Sequence, residues 1–466
     1  MQTNRRKLHG AYPGTLEPDA DLRAALPLGY LIYGPSTDSP QPPGAIEIGN
    51  PDIYPFDTAM TAIMSADGLT WANQPTFVFD EFGNIIINVQ RSSGGTRNLY
   101  VYSNGDGLDG TWVDNDDIND FGTIGEIGDR WSFVYDQANT SLHGVFTAES
   151  TGPIYRRYDI TYSGQNITGI LWDRATTETN AVLDDGADLY SHPICLKHGS
   201  KIIAIYSIVS FAGLSEIRAV MVDISGDINA GGDVGNWTHI GFSSTSAMSV
   251  QPNTASFSVI TSHASAGSFD QAAFIAANND IVFVYYKNNN FYMRRAIWSG
   301  SNWGSLGSEV LLTNRALDGD DTGYGLKKQL ITRPCEIDSK IYVAYPVWVD
   351  DTDGDGVILV EVDGASVNYY VVNVAGGAHT YAPTTDLTKR DDRLIISYLK
   401  SGGAGTFARV FDGLTPAQDE VLLFDDFDAD IPLLADQDTN ADQLLVMFRK
   451  VGSPPQPGYV GTIDYV

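Results

Sequence analysis

Residues 270–287 read DQAAFIAANNDIVFVYYK: a short apolar strand, a polar turn of Asn and Asp, and a stronger apolar strand ending in aromatics. The same plan returns in QPTFVFDEFGNIIINVQ from Gln74, RWSFVYDQANTSLHGVF from Arg130 and HPICLKHGSKIIAIYS from His192. It returns again in RPCEIDSKIYVAYPV from Arg333, APTTDLTKRDDRLIISYLK from Ala382 and IPLLADQDTNADQLLVMFRK from Ile431. Aligned on Pro75, Ser132, Pro193, Ala272, Pro334, Pro383 and Pro432, the copies are spaced by 57, 61, 79, 62, 49 and 49 residues. Units of that length, each a few strands long, are the signature of propeller blades.

Each unit continues into a third strand and a Gly/Trp hairpin, as in NLYVYSNGDGLDGTW from Asn98, FYMRRAIWSGSNWGS from Phe291 and DVGNWTHIG from Asp233. The expected fold is therefore all-β: a seven-bladed β-propeller of four-stranded blades, with six and eight as the neighbouring counts. Helical periodicity is confined to a short stretch around Asp19 to Leu26. Ala59 to Trp71 reads as the last part of a blade placed ahead of the first complete one, and the C-terminal unit lacks that part. An N-terminal strand is thus expected to complete the last blade and remove an exposed sheet edge. The expected division is an extended Pro/Gly-rich arm over residues 1–57 and a propeller over 58–466.

Composition narrows the class of function. The chain carries 58 Asp plus Glu against 28 Lys plus Arg, a formal net charge of −30, so it repels phosphate backbones and anionic lipid; nucleic-acid partners are not expected. No run of apolar residues is long enough for membrane insertion, and none of signal-peptide length follows the basic start MQTNRRKLHG. Two cysteines, Cys195 and Cys335, fall in different units and give no disulfide framework. The acid is mostly aspartate, 47 residues against 11 glutamates, which fits a protein working in high salt or a loop-rich β protein that uses Asp to form turns.

The stretch Ser65-Ala66-Asp67-Gly68-Leu69-Thr70-Trp71 is one residue short of the Asp-box pattern S-x-D-x-G-x-T-W, and Gly105 to Trp112 (GDGLDGTW) is a degenerate second copy. In these motifs and in its repeat the chain resembles the sialidase-like, or BNR-repeat, β-propeller superfamily. The resemblance covers residues 59 to 466 as a pattern and implies the fold. The Arg-Ile-Pro signature of sialidases is absent, so sialidase activity is not implied.

In a propeller the innermost strands begin around one shallow funnel, so the residues just ahead of the aligned positions converge there. The candidate ligand contacts are Gln74, Arg130, Trp131, His192, Asp270, Arg333, Tyr381 and Asp430. Were the funnel catalytic, His192, Arg333, His379 and Tyr381 are the group that would neutralise a uronate and abstract its C5 proton, as in polysaccharide lyases on related propellers, and paired carboxylates would serve glycoside hydrolysis. A polar channel mouth is the plainer explanation of the same residues. Asp351, Asp353 and Asp355 alternate with Thr352 and Gly354 in a D-x-D-x-D-G pattern that resembles the hairpin Ca2+ loops of integrin-type propellers, or is a solvated turn.

The expected role is a non-enzymatic attachment protein of a virus particle: a tail, fibre or capsid-surface component of a tailed virus of bacteria or archaea. It would bind a host-surface glycan or surface protein and be held to other virion proteins by the arm in an oligomeric assembly, made without an export signal. The alternative is a carbohydrate-active enzyme, a polysaccharide lyase or glycoside hydrolase working in the funnel.

Overall fold

The computed structural model describes residues 30–32, 52–55, 76–91, 97–104, 111–114, 127–148, 152–171, 180–183, 189–209, 215–241, 260–263, 271–287, 290–314, 333–350, 354–374, 385–390, 392–400, 405–424, 433–434, 443–449 and 458–464. Among these the chain is all-β, with two 3-10 turns and no α-helix. The described strands form seven sheets in chain order, each with an antiparallel run of four strand positions, and the fifth carries one further, parallel strand. No helix of the described residues is long and apolar enough to cross a membrane. The stretch Asp19 to Leu26 and the Asp-box copy at 65–71 lie outside the described residues.

The innermost strands follow the sequence alignment closely. They run Thr76–Phe79, Ile127–Asp136, Leu189–His198, Gln271–Ile275, Cys335–Ile337, Thr385–Arg390 and Leu433–Leu434. In the second and third sheets the aligned Ser132 and Pro193 sit at or beside β-bulges, where the ladder skips between Ile127 and Trp131 and between Ser191 and Ile194. Proline has no N–H to give to a ladder, so it is held on an edge strand or at a bulge, and Leu189–His198 is the edge strand of its sheet.

The second strand of each unit explains the packing. In Lys201–Val209, Ile202, Ala204 and Tyr206 face the second sheet while Ile203 and Ile205 face the fourth. In Ile281–Lys287, Ile281, Phe283 and Tyr285 face back while Val282 and Val284 face forward. Lys340–Asp350 repeats this, with Ile341, Val343 and Tyr345 on one side and Tyr342 and Ala344 on the other. Side chains alternate faces along a strand, so a strand covered on both faces is apolar except where a buried polar side chain finds a hydrogen-bond partner. Five apolar clusters formed in this way join sheets one to six, each to the next.

Tryptophans wedge neighbouring sheets together. Trp237 of the third sheet is fully buried against Tyr155 of the second, ring centroids 5.2 Å apart, and its indole N–H donates to the Gly231 carbonyl at 2.9 Å. A Cβ at Gly231 would stand 2.5 Å from the Tyr155 ring, so only glycine allows this approach. Trp303 of the fourth sheet packs on His198 of the third at 5.7 Å and donates to the Asn279 carbonyl at 2.7 Å. The Gly105 to Trp112 copy of the Asp box falls in sequence between the last two strands of the first sheet, whose last pair is Asn104 opposite Thr111, and residues 105–110 lie outside the described residues.

The fourth strand is broken in two in the second, third, fourth and sixth sheets. In the third, fourth and sixth it resumes opposite Ile217, Met293 and Ala408, and the next residue is in each case an arginine: Arg218, Arg294 and Arg409. Arg294 donates to the carbonyls of Gly307 and Ile260, and Arg409 to that of Gln418, which satisfies acceptors that the break leaves without ladder partners. Ahead of the resumed strand, Glu309 accepts from Tyr285 at 2.5 Å and Glu420 accepts from Tyr398.

At the N-terminal side, Asp52–Pro55 pairs antiparallel with Gly458–Asp464, the third strand of the seventh sheet. This strand lies upstream of Ala59 to Trp71, inside the segment expected to be arm. Tyr30–Ile32 adds in parallel to Tyr369, Tyr370 and Val371 on the outer edge of the fifth sheet. Aspartates account for many of the turns. Asp80, Asp136, Asp223, Asp227, Asp233 and Asp280 each accept a backbone N–H through the side chain, so abundant Asp has a local structural use in this fold.

Trp237→Ala is expected to cost about 3–5 kcal/mol, the range for deleting a large buried aromatic, whereas Trp298→Ala, at a half-buried position, costs much less. Denaturant unfolding of the two variants checks this. Equal losses would remove the wedge role.

Candidate functional site

The leading ends of the innermost strands lie opposite the turns that join each to its second strand, and the sequence-derived candidates belong to the leading ends. His192 lies within the bulge between Ser191 and Ile194, and Arg130 immediately precedes the point where the second sheet's ladder resumes at Trp131. Bulges commonly re-aim side chains near binding sites. Gln74, Asp270, His379, Tyr381 and Asp430 lie outside the described residues, as do Asp351 and Asp353. Asp355 stands in the ladder opposite Trp348, and the last pair of the two strands is Asp350 opposite Gly354. Among the described residues no three metal-ligating side chains come together.

One candidate has a resolved partner. Arg333 leads into Cys335–Ile337 of the fifth sheet, and its Nη2 lies 3.6 Å from Oδ2 of Asp386 in Thr385–Arg390 of the sixth. The arginine side chain is 48% exposed and the aspartate 4%. A buried carboxylate thus stands beside a half-exposed guanidinium, a planar group suited to a two-pronged grip on a ligand carboxylate. Asp386 escaped the sequence reading although a signal was present. Three residues after the aligned positions the other units carry Val78, Tyr135, Leu196, Ile275, Ile337 and Ala435, and only the sixth carries an acid.

A second group looks catalytic and is not. Ser141, His143 and Asp136 are neighbours, with Ser141 Oγ 3.1 Å and Asp136 Oδ2 3.6 Å from the same imidazole nitrogen, Nε2. A nucleophilic triad needs the acid and the hydroxyl on opposite nitrogens. Here Nδ1 is taken by the Tyr155 hydroxyl at 2.7 Å, and all three residues are fully buried. Lys197 pairs with Asp136 at 3.0 Å, and the group ties the second sheet to the third.

Other ionised clusters are equally satisfied. Burial alone would raise the Glu309 carboxyl, but hydrogen bonds from Lys287, Tyr285 and Thr261 outweigh it and hold it below the usual range. Glu361 is held down in the same way by Tyr342, Lys340 and Asn368 against its own burial. Carboxylates with every bond made are poor bases.

No protein family matches the sequence, and no curated protein matches it. Among solved structures, the chain is similar to a Penicillium chrysogenum α-L-arabinanase complexed with arabinobiose (11% identity, 90% of this chain and 98% of that one, TM-score 0.39). It is also similar to the polysaccharide lyase Uly1 (10% identity, 84% and 89%, TM-score 0.48). A third is the Hadza microbial sialidase Hz136 (10% identity, 70% and 62%, TM-score 0.37). At these values the likenesses carry no argument about activity.

The buried His143 gives the fold an acid limit. Burial lowers its pKa from 6.5, so the unfolded chain takes up this proton first and stability falls as pH drops below about 6.5. For Asp136, burial is more than offset by hydrogen bonds from His143, Asn139 and Lys197, so its stabilisation is full above 3.8 and is lost as pH falls through the lower folded value. Melting curves at about pH 7.5 and about pH 5 should show a lower midpoint in acid, and a smaller difference in His143→Gln. An unchanged difference would assign the loss to other groups.

Proposed function

We propose that the chain is a seven-bladed β-propeller that binds an acidic glycan, without turning it over, where the innermost strands begin. The observation that carries this is the half-exposed Arg333 guanidinium held by the buried Asp386 across two adjacent sheets. Ring closure is supported by the pairing of Asp52–Pro55 with Gly458–Asp464, which joins strands from the two ends of the sequence in one sheet. The charged groups whose partners are known are satisfied by one another, which favours a binding surface over an acid–base pair. In this reading the protein is a virion attachment component, on a tail, fibre or capsid surface, with the residues ahead of the propeller contacting other particle proteins.

The second reading is a polysaccharide lyase or glycoside hydrolase. It is favoured by His192 falling in a strand bulge near the leading end of its strand, as Arg333 lies at the leading end of its own.

Binding of the full chain to immobilised polyglucuronate and to neutral glucan separates these. The expected result is retention on polyglucuronate, about tenfold weaker in Arg333→Ala, with no rise in the ultraviolet absorbance of unsaturated uronate and no new reducing ends. Turnover that is lost in His192→Ala would install the enzyme reading, and binding unaffected by Arg333→Ala would remove this site.

Calcium is proposed for the Asp351, Asp353 and Asp355 carboxylates. Millimolar Ca2+ is then expected to raise the melting midpoint of the wild type and not of the Asp351→Asn/Asp353→Asn double variant; equal midpoints with Ca2+ and with chelator would exclude it.

A further inference from the structure

We infer that the first turn of the first sheet, with two tyrosines of the second, forms a separate carbohydrate site for a neutral pyranose, at the end of the sheets opposite Arg333. The corresponding turns of the next four sheets carry small or polar residues: Gln137 to Thr140, Gly199 and Ser200, Ala277 to Asn279, Asp338 and Ser339. The first turn instead puts Phe82 at its tip, with 41% of its surface exposed. The turn does not need that ring for its shape. Asp80 Oδ1 takes the N–H groups of Phe82 and Asn84 at 2.9 and 2.8 Å, Gly83 supplies the positive φ of 84°, and Asn84 Nδ2 clips the turn to the Gln165 carbonyl of the second sheet at 2.8 Å.

What surrounds the ring is suited to sugar hydroxyls. Phe82 meets Tyr162 edge to face at 5.2 Å, an arrangement that uses an edge of one ring and leaves ring surface open for the C–H face of a pyranose. Tyr162 donates to Asp80 at 2.9 Å and Tyr135 donates to Glu81, the two phenol oxygens standing 3.4 Å apart. Burial, helped by these carboxylates, keeps both phenols protonated, so they remain donors and the carboxylates keep lone pairs for further donors.

Charge decides the class of sugar. Among the described residues neither Asp80 nor Glu81 is ion-paired with a basic side chain. Such a site repels a uronate and accepts hydrogen bonds from a neutral sugar. The Arg333 end has the opposite preference, so the two ends of the same sheets would take chemically different glycans, and this inference stands whether or not the Arg333 reading does.

Saturation-transfer NMR of the full chain with cellotetraose, mannotetraose and galactotetraose, and with hexaglucuronate as the acidic control, tests it. The expected result is transfer to at least one neutral tetrasaccharide and affinity about tenfold lower in Phe82→Ala, with a smaller loss in Glu81→Gln and none in Arg333→Ala. Unchanged melting of Phe82→Ala, whose ring is exposed, certifies that the fold is intact. Absence of transfer to every neutral tetrasaccharide, equal affinity in Phe82→Ala, or a Phe82-dependent preference for tetramethylammonium over all three would each overturn it.

Discussion

A strand covered by protein on both faces has no solvated side, so a polar side chain on it needs a partner inside the protein and most positions are apolar. The second strand of each unit is under this constraint, and the rest of the structure follows from it. IIAIY, IVFVYY and IYVAY are continuous apolar runs because every residue meets one neighbouring sheet or the other. Each of the second to fifth sheets is therefore half of two cores and depends on both neighbours. The outer strands carry less of this burden, and polar chemistry, loops and insertions collect there.

That division explains which features could be read from sequence. Continuous runs separated by Asp- and Asn-rich turns survive divergence, so the units, their phase and their strand content were legible, and the innermost strands begin within a few residues of the aligned positions. The arginines of the third strands, and the glutamates that accept from Tyr285 and Tyr398, were not. They become equivalent only once the ladder is known, since Met293 opposite Val310 and Ala408 opposite Val421 are register facts, and the bulge beside each shifts the count by one residue. The joining N-terminal strand was anticipated, but Asp52–Pro55 is too short and too weakly patterned to be chosen over Ala59 to Trp71.

The site was half legible for a related reason. Arg333 was visible because a charge just ahead of an innermost strand stands out against the apolar run. Asp386 was hidden among the threonines of TDLTKR, where only comparison with the other units marks it as unusual. The Ser141, His143 and Asp136 group carries the opposite lesson. Residue types alone suggest a hydrolase, and the shared imidazole nitrogen and complete burial turn the same residues into a polar tie between sheets.

The broken fourth strand has a consequence for how such a chain can change over time. In the third sheet the two pieces of the fourth strand, Thr238–His239 and Thr261–His263, are separated in sequence by residues 240–260, against 307–309 and 417–420 in the fourth and sixth. The third unit is also the longest by the spacing of the repeat. Length added at a break is flanked by two short pairings to a strand already anchored in the core, so it lengthens the perimeter and leaves the centre in place. A lineage can then alter what one blade displays, by insertion or deletion at that point, while the arrangement of the innermost strands is inherited intact.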